Sequence, residues 1–368
     1  MSDMPSPVPD PALSRRKRPT QREVAGLAGV SQAAVSQVLN GGQSGVRIPD
    51  ATRQRVLDAM QHLGYVPNVA AQRLAGGRNR ILGVFTYESV FPSSRRDFFN
   101  PFLEGIEQEA AVLDCDLLLH TRPAPGHLNT GRSNTGYSNT GHTKPLSPQG
   151  HSRLRLADGT IMLGLPDQEQ RADLTRLISE GHPTVFIGRR ELPGVLLPYV
   201  TARYAAATAH ALRALVQRGH RRTLYVGAAQ RHESALDRER GYLEAVADLG
   251  ISGQVLRLDD GTPHMEIMLD QQITGILFEN ERLADMWLSA AAHLGLQCPQ
   301  DFGFALLGDP LYGAELPEGW AHSRIPRQEM GRQAVRLLET VLQGDSELSS
   351  VDLPCGWVTG SSLGRGPG

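Results

Sequence analysis

The stretch that most constrains this chain is Thr20–Asn40, TQREVAGLAGVSQAAVSQVLN, because two helices this short hold shape only by packing on something else. Thr20 is placed to cap a first helix, and Glu23 three residues on completes a capping box. Val24 and Leu27 set an apolar face at i, i+3 spacing, and Gly29 stands where a left-handed residue should end that helix. Ser31 is a second N-cap, after which Val35, Val38 and Leu39 repeat the apolar face. Packing Val24, Leu27, Val30, Val35 and Val38 together leaves Gln32, Ser36 and Gln37 outward on the second helix. The pattern is a helix-turn-helix, which serves either to place a helix in DNA or as a purely structural hairpin.

The flanking residues favour DNA. The first ten residues, MSDMPSPVPD, are rich in proline and serine, which predicts disorder, and they lack the apolar core of a secretory signal. Arg15, Arg16, Lys17 and Arg18 then lead straight into the first helix. Residues 1–80 hold 11 Lys/Arg against 5 Asp/Glu; since the whole chain is at −2, the remainder carries −8. A basic run ahead of a helix-turn-helix is suited to phosphate contact, which supplies affinity without sequence information. Residues 50–63, DATRQRVLDAMQHL, predict a third helix with Val56, Ala59, Met60 and Leu63 on one face and Gly64 as its stop. Pro67–Ala75 predicts a two-turn helix capped by Asn68 and ended by Gly76-Gly77, too short to form unless something holds it.

RPTQREVAGLAGVSQAAVSQVLNG followed by TRQRVLDAMQHLGYVPNVAAQRLAGG resembles the DNA-binding head and hinge of the LacI/GalR family of bacterial transcription regulators, over residues 18–77. The resemblance implies a repressor-type regulator whose second helix enters the major groove of double-stranded operator DNA, with Gln32, Ala33 and Gln37 at the base-reading positions. It implies that paired hinge helices push a leucine, here Leu74, into the minor groove of a palindrome, exchanging unstacking for a bent site with more contact. It extends DNA contact to Arg18, Thr20, Ser31, Ser36, Asn40, Asn68, Ala71 and Gln72. Two residues depart from the pattern: Gln37 stands where many members carry Arg, and Ala34 where Thr is common. Glutamine suits the N6/N7 edge of adenine and arginine suits guanine, so an operator differing at that base pair is expected. The loop Gly41–Pro49 is also longer than usual for the family.

From Ile81 the character changes. ILGVFTY, CDLLLH, DGTIMLGL, PTVFIG, RRTLYVG, ITGILFEN and FGFALLG are apolar runs of the kind found in parallel sheets. They alternate with amphipathic segments at PFLEGIEQEAAVL, DLTRLISEG, Ala202–Arg218, Asp237–Leu249 and Arg282–Leu294. This predicts doubly wound α/β layers, and about 290 residues exceeds one such layer, so two lobes with a cleft are expected. The fold class is therefore an N-terminal all-α helix-turn-helix head with a hinge helix, then an α/β two-lobed effector domain. The family resemblance likens that domain to periplasmic sugar-binding proteins, with three crossings between lobes. The expected division is a basic arm at 1–17, a head at 18–66, a hinge and linker at 67–79 and an effector and dimerisation domain at 80–363. Within it, lobe 1 takes about 80–218 and 320–345, and lobe 2 about 219–319 and 346–363. Thr121–Arg155, which contains NTGRS-NTGYS-NTGHT, has nothing to build a core and reads as a flexible surface insertion. Glu88–Asp97 reads as a smaller insertion at the lip of the cleft. His127, His142 and His151 show no fixed ligand spacing, so no metal is expected.

For the effector, a small molecule of sugar type, the resemblance carries over position by position. SALDRERGYLEA supplies Arg238, LFENERLAD supplies Asn280 with Glu281 where the family has Asp, and FFNPFLEG supplies Phe99 and Asn100. GFALLGDP keeps Asp309, while Gly308 occupies the place of a second acid. The alternative for each is an ordinary surface charge or helix cap. No Walker loop, GxSxG elbow, HExxH or dinucleotide glycine fingerprint occurs, so no enzyme activity and no cofactor are expected. Cys115, Cys298 and Cys355 are scattered, as for buried thiols in a reducing cytoplasm. No apolar run reaches membrane-spanning length. The competing reading, a solute receptor of the same body fold, calls for a signal peptide and has no use for a basic head. The expected assembly is a homodimer or a higher homo-oligomer built from it.

Overall fold

The computed structural model describes residues 19–39, 48–65, 78–87, 98–120, 153–258, 263–310, 315–344 and 350–367. The chain divides into two compact units, Met1–Asn79 and Arg80–Gly368.

In the first unit, α1 (Gln21–Ala28), α2 (Gln32–Leu39) and α3 (Asp50–Leu63) follow from their caps. The Thr20 amide donates to Glu23 Oε2 at 2.6 Å while the Glu23 amide donates to Thr20 Oγ1 at 3.4 Å, so two orphan donors are satisfied reciprocally. Gly29 closes α1 at φ 64° and Gly64 closes α3 at φ 61°, a left-handed geometry that strains any residue with a Cβ. Val24, Ala25, Ala28, Val35, Val38, Val56 and Ala59 form the core, with Val30, Leu39, Met60 and Leu63 packed at its edge. Leu27 is the exception, 53% exposed. The seam of α1 runs through 24, 25 and 28, where two alanines allow close approach, and this turns position 27 outward.

The second unit holds two six-stranded sheets. The first is ordered β11-β5-β4-β3-β1-β2 and the second β12-β10-β9-β8-β6-β7. The first consists of β1 (Ile81–Thr86), β2 (Asp116–His120), β3 (Gly159–Leu163), β4 (Thr184–Ile187), β5 (Tyr199–Ala202) and β11 (Val351–Leu353). The second consists of β6 (Arg222–Ala228), β7 (Ser252–Leu258), β8 (Gly275–Phe278), β9 (Gly303–Leu306), β10 (His322–Arg324) and β12 (Gly356–Val358). Every pairing is parallel except β10 with β12. The central strands are covered on both faces, which is why β1, β3, β4, β8 and β9 read as unbroken apolar runs. Ile161 and Leu163 of β3 pack with α4 (Asn100–Val112) and α10 (Arg327–Leu342), whereas Met162 between them faces α5 (Gln168–Ser179). In the second sheet Leu224 and Val226 face α8 (Met265–Asp270) and α9 (Glu281–His293), and Tyr225 faces α6 (Tyr204–Gln217) and α7 (Glu233–Leu249).

The lobe boundaries expected at 218/219, 319/320 and 345/346 move. Helix α6 buries Ala211, Leu212, Leu215 and Val216 against Tyr225 and Tyr242, so it belongs to lobe 2 and the chain crosses just after β5. Strand β10 pairs with β9, which places the second crossing at Arg324–Arg327. Strand β11 pairs with β5 in lobe 1 and β12 with β10 in lobe 2, so the third crossing lies at Leu353–Gly356. The reading of Thr121–Arg155 as unable to reach a core is corrected at its far end. Leu154 is 1% exposed and packs with Phe85, Tyr87 and Met162.

Each lobe contains one helix pair in which a glycine lets backbones touch. A Cβ on Gly105 or Gly331 would overlap the facing backbone of α10 or α4, and one on Gly241 would overlap the Ala205 carbonyl. Gly241→Ala must therefore push α7 away from α6. A loss of about 1–3 kcal/mol in urea unfolding is expected, and unchanged stability would show that this pair can part freely.

Candidate nucleic-acid interface and effector cleft

Helix α2 carries the candidate interface. At 100° per residue, positions 32, 33, 36 and 37 fall on one side of its axis, and Val35 and Val38 lie on the other, 0% and 6% exposed in the head core. Gln32 and Ala33 are exposed, while Ser36 and Gln37 are half-buried. Ser31 Oγ accepts from the Ala34 amide at 3.1 Å, fixing the start of the helix. Thr20 is engaged in its capping box at the start of α1. Of the other DNA positions, Arg18, Asn40, Asn68, Ala71, Gln72 and Leu74 lie outside the described residues. So do the three histidines of the insertion.

The effector positions gather at the carboxyl ends of the strands, beside the crossings between lobes. Arg238 is 8% exposed, lies over the Tyr204 ring at 4.4 Å and donates from Nε to the Leu307 carbonyl at 3.1 Å. A Cβ at Gly308 would stand 3.7 Å from Arg238 Nη2, so the missing second acid would have lain against this guanidinium. Asp309 Oδ2 accepts from the Ile325 amide at 2.7 Å and faces Arg327 Nε at 3.8 Å. Arg327 in turn covers the Phe98 ring at 5.0 Å and donates to the Phe98 carbonyl at 3.1 Å. Arg238, Asp309 and the Phe98–Phe99 turn are thereby linked into one constellation. Phe99 is half-buried against Phe98 and Phe102.

The two asparagines differ from this group. Asn280 caps α9 through Oδ1, which accepts from the Leu283 amide at 3.0 Å. Asn100, the first residue of α4, donates to Glu104 Oε1 at 2.7 Å. Asn280 thus serves as a helix cap, and Asn100 makes an exposed i, i+4 pair within its own helix.

Sequence reasoning missed Tyr204, Arg327, Arg190 and His232. None lies in a recognisable motif, and each is brought in by a loop end. Arg190 lies over the Phe186 ring at 4.8 Å and donates to the Gly164 carbonyl at 2.7 Å. His232 caps α7 by accepting the Ala235 amide on Nδ1 at 3.2 Å. Burial first, then the charges of Arg238 and Arg190, push its imidazole down to about 4 from 6.5. For Glu233 burial works upward but loses to the hydrogen bond from Arg171 and the charge of Arg190, leaving its carboxyl at about 2.

A surface cavity of about 520 Å³ lined by Arg221, Arg222, Met268, Gln272, Thr274 and Leu296 lies at the opposite, amino-terminal ends of the lobe 2 strands, away from this constellation. Among the described residues no group of three or more His, Cys, Asp or Glu is placed to hold a metal ion. No helix among them is long and apolar enough to cross a membrane.

Residues 20–68 match the family described as bacterial regulatory proteins, lacI family, and residues 212–363 match a periplasmic binding protein-like domain. The chain is 27% identical over 345 residues to the HTH-type transcriptional regulator CelR of Thermobifida fusca, covering 91% of this chain and 95% of that one. It is 26% identical over 331 residues to GalR of Escherichia coli, covering 86% and 88%. Among solved structures, the lac repressor dimer bound to operator and the anti-inducer ONPF aligns with TM-score 0.63 and 20% identity, over 95% of this chain and all of that one. A CelR–cellobiose complex aligns with TM-score 0.57 and 24% identity, over 94% and 100%. The likeness in these structures is one of fold.

The His232 ring supplies a pH test. Its folded-state pKa near 4 lies below the ordinary 6.5, so between these values the unfolded chain binds more protons. Stability should be fully present above about 6.5 and fall towards pH 4, by on the order of 1–3 kcal/mol. His232→Asn keeps a capping acceptor and removes the titrating ring. Its urea midpoint should change less between pH 7 and pH 4.5 than that of the parent, and equal changes would clear His232 of the effect.

Proposed function

We propose how this chain, which belongs to the LacI/GalR family of bacterial transcription regulators and is a DNA-binding regulator of that type, uses its two sites. Two copies bind a palindromic operator, because one head offers too few base edges for useful specificity. The observation that carries this reading is the polar face of α2, exposed at Gln32 and Ala33 and half-buried at Ser36 and Gln37, backed by the buried Val35 and Val38. The basic surplus of residues 1–80 supplies phosphate contact. Gln37 reads adenine where an arginine would read guanine. Leu74, from the segment Pro67–Ala75, is the minor-groove wedge.

The cleft takes a sugar or sugar derivative between Arg238, Asp309 and Arg327, with Phe99 as an apolar wall. Support comes from the physical linkage of these groups and from a solved CelR–cellobiose complex of similar fold. Ligand bound in the cleft shifts one lobe against the other and so changes the separation of the paired hinge segments. The coupling between sites is roughly 1–3 kcal/mol and reciprocal. Repression is the outcome we assign. The protein works in the cytoplasm, where operator DNA is, and it needs no metal, cofactor or catalytic step.

Leu74→Ala should weaken operator binding by tenfold or more while non-specific binding holds, read by titration against operator and scrambled duplexes. Equal losses on both would exclude the wedge. A thermal-shift screen against neutral sugars, sugar acids and sugar phosphates should find a compound that raises the melting point, since binding favours the folded state. Arg238→Ala should lose that rise yet keep operator affinity; a normal shift in this variant would displace the pocket from Arg238.

A further inference from the structure

Away from the three crossings, the two lobes meet a second time. Helix α5 and the loop after β4, both of lobe 1, face the first two turns of α7, in lobe 2. Arg171 Nη1 donates to Glu233 Oε1 at 2.7 Å, and the Glu191 amide approaches the same oxygen at 3.3 Å. Arg190 Nη1 stands 3.7 Å from the other oxygen, Oε2. One turn along α7, Asp237 Oδ1 accepts from Arg189 Nη2 at 2.9 Å. The Glu233 and Arg190 side chains are 6% and 7% exposed, so this pairing is largely out of water.

The lobe 1 half is also braced by contacts within its own lobe. Arg190 is held flat on Phe186 and donates to the carbonyls of Gly164 and Arg189 at 2.7 and 2.6 Å, and Arg171 donates to the Glu191 carbonyl at 3.2 Å. Little side-chain freedom remains to be lost when Glu233 docks, which removes the usual reason why exposed ion pairs contribute little. Glu233 and Asp237 are spaced i, i+4 on one rigid helix, so they engage together. The next residue on that helix is Arg238, directed to Tyr204 and Leu307. Whatever seats Glu233 and Asp237 therefore also sets where Arg238 stands.

We propose that Arg171, Arg189 and Arg190 of one lobe and Glu233 and Asp237 of the other form a clasp that holds the effector domain closed without ligand. The clasp positions α7 and sets the closed fraction; it does not itself bind effector. Salt screens its outer pair, Arg189–Asp237, more than its buried one.

The test uses the full-length chain with no ligand, so its outcome is independent of the effector assignment. Nitroxides carried on a keto-bearing unnatural residue at the exposed positions Ser179 (α5) and Asp248 (α7) report the interlobe distance by double electron–electron resonance. The parent should give one short, narrow population at low salt and a broader, longer one at 1 M NaCl (a concentration at which the screening length is about 3 Å). Glu233→Gln, Arg189→Asp and Asp237→Arg should each lengthen the distance at low salt. Arg189→Asp combined with Asp237→Arg should bring it back towards the parent value, which distinguishes a lost pair from a damaged helix. Distances unmoved by the single variants and by salt, or a double variant no shorter than its singles, would overturn the clasp.

Discussion

The effector half depends on hydrogen bonds that tie its three crossings to one another and to the cleft. The Arg203 amide, just after β5, donates to the Leu353 carbonyl at 2.8 Å, joining the first crossing to the third. Asp309 takes the Ile325 amide on the second. Arg238 rests on Tyr204, the residue that begins the helix after the first. The groups we propose for a ligand are thus groups that tie the crossings together. A molecule that draws on Arg238 or Asp309 works directly on the segments about which the lobes turn, with no intervening relay.

The head solves a different problem with fewer atoms. Its core is seven small or branched side chains drawn from all three helices. Packing on that core is what lets α2 carry polar residues on its other face, since a helix of eight residues has no stability to spare. The exposed Leu27 follows from the same economy: the seam is filled by alanines, and the larger side chain is turned out.

Much of this was legible in one dimension because the signals are local. The caps at Thr20 and Ser31 and the stops at Gly29 and Gly64 act within a few residues. The buried strands announce themselves because both faces are covered. What escaped was short, polar or set by pairing. Strands β10, β11 and β12 have three residues each, and only their partners say to which lobe they belong. Asn280 and Asn100 matched a family pattern, yet their side chains serve α9 and α4. Arg327 and Tyr204 carried no motif, and they enter the cleft because crossings end there.

By itself, then, the amino-acid order determined that a small capped three-helix head precedes a doubly wound α/β body, and which residues of α2 remain outside its core. These follow from caps, periodicity and apolar runs, all of which act over a turn or a strand. Only the tertiary structure decided where the chain passes between lobes, which candidate polar groups converge, and that Arg171, Arg189 and Arg190 meet Glu233 and Asp237. Those contacts join residues 48 and 62 positions apart in the pairs Arg189–Asp237 and Arg171–Glu233. Charge has no periodicity that reports its partner, so the pairing exists only once two sheets have brought the loops together.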